Sequence, residues 1–223
     1  EKRLTRDISH ELRSPLARMN VALELAKQKA TPENLPNLNR IETESERLNE
    51  MIGRLLTLSQ LESGSMNVSM VKLDLSRLVR DIVEDAEFEA TARGKSVKAE
   101  TIDDCRIVGN ENLLRSAIEN VVRNSVRYTA DGTCVDVSLA VVGSFAEIAV
   151  EDHGGGVPDE ELDNLFRPFY RLAEARERRS GGAGLGLAIA RRAVLAHNGT
   201  ISASNKNSGL RVSIKLPLSA ARQ

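Results

Sequence analysis

His10 lies in Asp7-Ile8-Ser9-His10-Glu11-Leu12-Arg13-Ser14-Pro15-Leu16, a run that sets an imidazole beside a carboxylate and shortly before a proline. On a helix turning about 100° per residue, His10 falls about 200° from both Ile8 and Leu12, away from the apolar seam and in solvent. Pro15 has no N–H for the carbonyl of Glu11, so the helix is expected to kink there and to free an acceptor beside the histidine. Taken alone, this describes a surface histidine next to an inert kink. Glu11 adds a group able to take a proton or orient the ring, which a histidine nucleophile needs in order to present an unprotonated nitrogen. Ser14, one helical turn beyond His10, shares its face and is placed to position a water.

Two glycine clusters follow, Asp152-His153-Gly154-Gly155-Gly156 and Gly181-Gly182-Ala183-Gly184-Leu185-Gly186-Leu187. Neither is a P-loop, because neither contains Gly-Lys-Ser/Thr and the Gly94-Lys95-Ser96 found elsewhere has Glu89 where the motif needs its leading glycine, and neither fits the dinucleotide fingerprint G-x-G-x-x-G/A. What remains is a glycine loop entering a helix of Leu185 to Ala196, whose free N–H groups and positive end suit phosphate oxygens. Read alone, such glycines only make a mobile loop. A third element, Glu119-Asn120-Val121-Val122-Arg123-Asn124-Ser125-Val126-Arg127-Tyr128, puts Asn120 and Asn124 on one helix face with Arg127 and Tyr128 just beyond. Amide oxygens are hard neutral ligands suited to Mg2+, which shares the rest of its shell with water and substrate phosphates. The plainer reading is polar residues on a helix surface.

The elements that must hold these groups are legible from composition and period. The chain has 223 residues, 31 Lys+Arg against 32 Asp+Glu, 41% apolar and 3% aromatic residues, which gives one large or two modest domains and excludes wholesale disorder. A net charge of -1 gives no basic footprint for nucleic acid. No apolar run approaches the stretch of about 20 that crosses a bilayer. Cys105 and Cys134 lack metal spacing and are too few to staple the chain, which favours a reducing compartment. No signal segment opens it, and the start without Met suggests a piece of something longer.

Up to about residue 63 there is no aromatic residue and one Gly, and a boundary is expected near Gly64. Leu38, Ile41, Ser45, Leu48, Ile52, Leu55 and Ser59 recur at helical spacing, as do Leu4, Ile8, Leu12, Leu16, Met19, Leu23 and Ala26, with Thr31-Pro32 and Leu35-Pro36 between. The reading is a two-helix hairpin, too small to be stable alone, which pairs with a second copy as a dimeric four-helix bundle. The two serines weaken the seam. Beyond it, Leu75 to Ala92, Asn112 to Arg127 and Ala183 to Ala196 are expected as helices. Val135 to Val142, Phe145 to Glu151, Thr200 to Asn205 and Leu210 to Leu216 are expected as strands, with turns at Val142-Gly143-Ser144 and Asn207-Ser208-Gly209. These make a mixed sheet covered on one face by helices, an α/β sandwich.

Together and in this order, the motifs resemble those of the sensor histidine kinases of two-component signalling. Asp7 to Leu16 is similar to the H box, Glu119 to Tyr128 to the N box, Asp152 to Gly156 to the first glycine box, Phe166-Arg167-Pro168-Phe169-Tyr170-Arg171 to the F box, and Gly182 to Leu187 to the second glycine box. The order of H box and hairpin looks closest to the envelope-stress sensor kinases. The resemblance implies a dimerisation and histidine-phosphotransfer domain over residues 1–64. It implies a catalytic ATP-binding domain over residues 68–223, of the ATPase fold shared with gyrase, Hsp90 and MutL. By it, His10 is the phosphoacceptor and Glu11 the base or orienting carboxylate. Asn124 ligates Mg2+ with Asn120 helping at metal or phosphates, Asp152 reads the adenine amine, Arg127 approaches the phosphates, and Tyr128 packs beside the base. Gly154 and Gly156, then Gly182, Gly184, Leu185 and Gly186, line the nucleotide, Arg171 meets the γ-phosphate, and residues between Leu172 and Gly182 form a lid. Leu61 to Val68 is the joint about which the ATP domain reaches His10. The partners implied are a second copy and the receiver domain of a response regulator, met around Arg13, Ala17, Asn49 and Arg54. The location implied is the cytoplasmic side of a bacterial inner-membrane protein whose sensor and spans precede this stretch.

Five positions depart from the family pattern. Ser14 stands where Thr or Asn serves the phosphatase reaction on the regulator, His153 and Gly155 where Asn and Pro are common, Arg127 for Lys, and Ala183 for Thr. Phosphatase activity is still expected, since a hydroxyl remains at position 14. Another ATPase of the same fold, such as an anti-sigma-type serine kinase or a gyrase-like machine, and a nucleotide-sensing dimeric scaffold are the competing readings.

Overall fold

A computed structural model of the chain describes residues 2–64, 69–172, 182–206 and 209–218, with side chains from residue 14 onward. The side chains of His10 and Glu11, the stripe residues Leu4, Ile8 and Leu12, the regulator-contact candidate Arg13, residues 65–68 of the joint, residues 173–181 of the lid and residues 207–208 of a turn lie outside the described residues. The chain divides into two compact units, Glu1–Met66 and Asn67–Gln223.

The first unit is an antiparallel pair, α1 (Lys2–Gln28) and α2 (Leu35–Glu62). α1 continues as helix through Pro15. Pro36 falls in the first turn of α2, where its missing N–H leaves no helical acceptor unmet. Lys27 Nζ bonds both oxygens of Glu42, at 2.8 Å each, across the hairpin, and Leu23, Leu56 and Leu58 are buried. The anticipated seam splits in two. Ser45, read as a weak point, is buried and donates to Asn20 Oδ1 on α1. Ile41, Leu48 and Leu55, spaced by seven, remain 48%, 46% and 40% exposed together with Met51. A heptad rank left uncovered by its own hairpin is the pattern of a helix made for a further helix.

The second unit contains β1 (Val71–Asp74), α3 (Leu75–Thr91), β2 (Ser96–Ile102), β3 (Arg106–Gly109), α4 (Glu111–Tyr128), β4 (Cys134–Val142), β5 (Phe145–Glu151), two short 3-10 turns at Asp159–Glu161 and Asp163–Phe166, α5 (Gly186–Ala196), β6 (Thr200–Lys206) and β7 (Gly209–Pro217). Five strands form one sheet in the order β2-β4-β5-β7-β6, with β2 parallel to β4 and every other pair antiparallel. β1 and β3 pair apart from it. Alternation along β4, β5 and β7 buries Val135, Val137, Leu139, Ala146, Ile148, Val150, Val212, Ile214 and Leu216 on the face that α3, α4 and α5 cover. The other face is polar, with Glu151 near Arg211 and Glu147 near Lys215. The α/β sandwich expected from the sequence is therefore the observed fold. The three strands β1, β2 and β3 were not anticipated, and the last helix begins at Gly186 rather than at Ala183 or Leu185. Among the described residues no helix is long and apolar enough to cross a membrane.

Candidate functional site

α4 is the axis of the site. Its apolar face, Leu113, Leu114, Ala117, Ile118, Val121, Val122 and Val126, packs into the core, and helical period turns Asn120, Asn124 and Arg127 toward a neighbouring side. Asn110 caps the first turn by accepting from Leu113 N at 3.0 Å, and Asn110 N in turn donates to His197 Nε2 at 2.9 Å. At the other end Lys95 Nζ donates to the carbonyls of Val126 and Arg127, at 3.0 and 3.3 Å. A cation on the last carbonyls satisfies groups that a helix leaves open and opposes its negative end.

Both glycine clusters close on this helix. A side-chain carbon at Gly154 would lie 2.3 Å from the Tyr128 carbonyl oxygen, so only glycine lets the first cluster pass beneath the end of α4. The side chains of Arg127 and Asn120 abut Gly182 and Gly186 of the second cluster, since carbons added there would meet Arg127 Nη1 at 2.7 Å and Asn120 Oδ1 at 2.9 Å. Gly184 has φ +72 and sits against the backbone of Phe169 and Tyr170, where Phe169 N donates to Gly184 O at 2.9 Å. Phe169 itself has φ 63, an uncommon region for a residue with a side chain, and is exposed at the rim. Tyr170 OH and Asn164 Nδ2 both donate to Glu161 Oε2, and these bonds, the tyrosine's first, hold the Glu161 carboxyl below its ordinary range.

Five of the anticipated groups therefore converge: Asn120, Arg127 and Tyr128 on α4, Gly154 after β5, and the loop from Gly182 to Gly186. Asn124 is half-buried on α4, one turn beyond Asn120, and Arg171 is half-buried after the F box. Gly156 diverges toward β6, where Asn205 accepts from Val157 N at 2.9 Å and donates to Val157 O at 2.6 Å. Ser14, in the other unit, is exposed and accepts from Arg18 at 2.6 Å.

Asp152 lies under α4, 2% exposed. Its Oδ1 accepts from Gly154 N at 3.0 Å and Leu210 N at 3.2 Å, while Oδ2 has no hydrogen-bond partner. Burial pushes the carboxyl above the usual aspartate range, against the pull of the Leu210 and Gly154 N–H groups. Ser125, 1% exposed on α4, stands close enough to exert a further lowering pull, yet its Oγ completes no hydrogen bond. Sequence reasoning passed over Ser125, Asn205, Lys95 and His197; each is a single polar residue whose role is set by a distant partner.

The donor set fits a nucleotide and a magnesium ion. An unsatisfied buried carboxylate oxygen suits an exocyclic amine. α5 begins without a side-chain cap, leaving its first N–H groups to an anion. Asn120 spends its Nδ2 on Ser116 O, at 2.8 Å, which leaves the amide oxygen facing the loop. Among the described residues no group of three or more His, Cys, Asp or Glu is arranged to hold a metal, so a divalent ion here would rely on amide oxygens, phosphates and water.

An α/β sandwich of this order, with an asparagine-bearing helix between two glycine clusters, defines an ATPase fold. The family described as histidine kinase-, DNA gyrase B- and HSP90-like ATPase matches residues 109–220, and the His kinase A (phospho-acceptor) domain matches residues 1–64. The chain belongs to the sensor histidine kinases. It is 41% identical to the sensor histidine kinase CpxA of Escherichia coli (strain K12) over 220 residues, 98% of this chain and 47% of that protein. It is 34% identical to the sensor-like histidine kinase SenX3 of Mycolicibacterium smegmatis over 197 residues, 87% of this chain and 51% of that one. The chain thus spans about half the length of the curated relatives it matches. Two solved structures share the fold: full-length ShkA in complex with AMPPNP, with TM-score 0.86, 23% identity and coverage of 99% of this chain and 47% of that one, and the Acinetobacter baumannii histidine kinase AdeS, with TM-score 0.68, 21% identity and coverage of 95% and 98%.

Proposed function

We propose that the chain is the catalytic core of a protein-histidine kinase that moves the γ-phosphoryl group of ATP to His10 and then to an aspartate of a response-regulator receiver domain. The observation that carries this reading is the convergence on α4 of a buried, half-satisfied Asp152 and an uncapped glycine loop, in a chain whose first 64 residues match the phospho-acceptor domain. Residues 1–64 act as the dimerising phosphotransfer domain and residues 68–223 as the ATP-binding domain. Asp152 takes the adenine amine and Tyr128 flanks the base. Gly154 and Gly156 shape the floor, and Gly182, Gly184, Leu185 and Gly186 present backbone to the phosphates, with Arg127 and Arg171 as counter-charges. Asn124, helped by Asn120, holds Mg2+, which when bound neutralises phosphate charge. Glu11 readies the imidazole. Phosphoryl transfer rests on positioning and charge neutralisation more than on covalent help from the protein, and this list supplies both.

Ser14 retains a hydroxyl for regulator dephosphorylation, held toward Arg18. The uncovered rank Ile41, Leu48, Met51 and Leu55 supports a homodimer. A cytoplasmic domain of an inner-membrane sensor is the setting that the relatives suggest. Incubation with γ-labelled ATP and Mg2+ tests the reading. Label is expected on His10, acid-labile and absent from His10→Gln, while label on serine overturns it. ATP-dependent stabilisation without any label is the signature of a nucleotide-sensing scaffold.

A further inference from the structure

Ser125 on α4 and Asp152 just after β5 leave two buried polar atoms, Oγ and Oδ2, without partners, and Ser125 lies near enough to pull the Asp152 carboxyl down. Folded proteins pair nearly all such atoms, and each exception needs a reason. Packing alone does not require the hydroxyl, because an alanine at 125 would fill nearly the same space and strand nothing. Nor does helix propensity, which ranks serine below alanine. The Ser125 backbone carbonyl is already used by Thr129 N at 2.8 Å, so only the side chain is open. Asp152 Oδ1 is likewise spent on Gly154 and Leu210, which fixes the carboxylate plane and leaves Oδ2 to whatever enters.

The carboxylate oxygen accepts, and the hydroxyl supplies one donor next to it. A ligand edge that satisfies both must place a donor beside an acceptor. The six-position amine and adjacent ring nitrogen of an aminopurine are such an edge, whereas a 6-oxopurine sets an acceptor against the carboxylate. We infer that Ser125 is a second base-reading residue, its hydroxyl donating to the ring nitrogen N1 of the bound adenine, directly or through one water, while Asp152 takes the amine. This rests on the ATP reading above and extends it: discrimination is shared between a charged acceptor and a neutral donor from two different elements, and the serine is the part that senses the ring.

The test compares wild type and Ser125→Ala of the whole 223-residue chain by calorimetric titration with ADP and with 1-deaza-ADP, in which N1 is replaced by C–H. The variant is expected to bind ADP about 3- to 10-fold more weakly, the size of one neutral hydrogen bond. Wild type should lose a similar factor on changing to the deaza analogue, and wild type and variant should then bind that analogue alike. Thermal melting without nucleotide, expected to be unchanged or higher for the variant, verifies that the fold survives. Equal ADP affinity in wild type and variant overturns the inference and leaves the ATP reading standing, as does a loss of equal size for both nucleotides. No ADP binding by wild type overturns both.

Discussion

Burial pushes the Asp152 carboxyl up, against the Leu210 and Gly154 N–H groups and the weaker pulls of Ser125 and His153. A carboxyl whose folded value exceeds its unfolded one stabilises the fold at low pH, and that contribution is lost as pH rises through the raised value. Above that raised value the folded chain bears the cost of a buried charge. Asp152→Asn keeps an oxygen for both N–H donors and removes the charge, so at pH 7 the variant is expected to melt no lower than wild type. It should nonetheless bind ATP about 10- to 100-fold more weakly, the worth of a charge-assisted hydrogen bond of about 1.5–3 kcal/mol. Melting curves and nucleotide titration check the two halves separately. A large drop in melting temperature would mean that the carboxylate serves the fold rather than the ligand.

At the scale of elements, α4 is held by groups from opposite ends of the sequence. His197 closes α5, is buried, donates from Nδ1 to Ala193 O at 2.7 Å and accepts at Nε2 from Asn110, 87 residues away. Burial lowers its basicity, opposed by the Ala193 carbonyl. A histidine with a depressed folded value lends stability that is complete above about 6.5 and is lost as pH falls toward the lower value, because protonation turns Nε2 from an acceptor into a donor aimed at another donor. Wild type is expected to lose melting temperature between pH 7 and pH 5, and His197→Gln, though less stable at pH 7, to lose less over that interval; parallel pH profiles would remove His197 from the account. What the sequence revealed divides along the same line. Asn120, Arg127, Asp152 and the glycines were legible because each sits in a local run whose composition has a chemical reason, and β4 to β7 because their faces alternate. β1 and β3 escaped because four-residue strands exist only by pairing with each other across α3 and β2. β2 escaped because Lys98 and Glu100 interrupt a strand whose parallel partner, β4, lies beyond a whole helix. Ser125 and His197 were missed because nothing near them in the chain announces what they face.

For the molecule as a whole, the first unit poses an energetic question that its own hairpin does not answer. Ile41, Leu48, Met51 and Leu55 stand in a line of helical and heptad spacing, each more than a third exposed. Covering the remaining surface of such half-buried side chains is worth roughly 1 kcal/mol apiece, whereas a buried charge in the middle of the line costs several times that, so one charge there weighs heavily on any assembly. Leu48→Glu is expected to shift the chain toward monomer in sedimentation at micromolar concentration while ADP affinity stays within about twofold of wild type; an unchanged sedimentation profile would place the contact elsewhere. In the homodimer proposed above those residues find cover on a second copy, and the helical hairpin would then have no fixed melting point of its own. Its midpoint should climb with each tenfold rise in protein concentration, so that the cell's copy number joins temperature and pH among the variables that decide how much of it is folded.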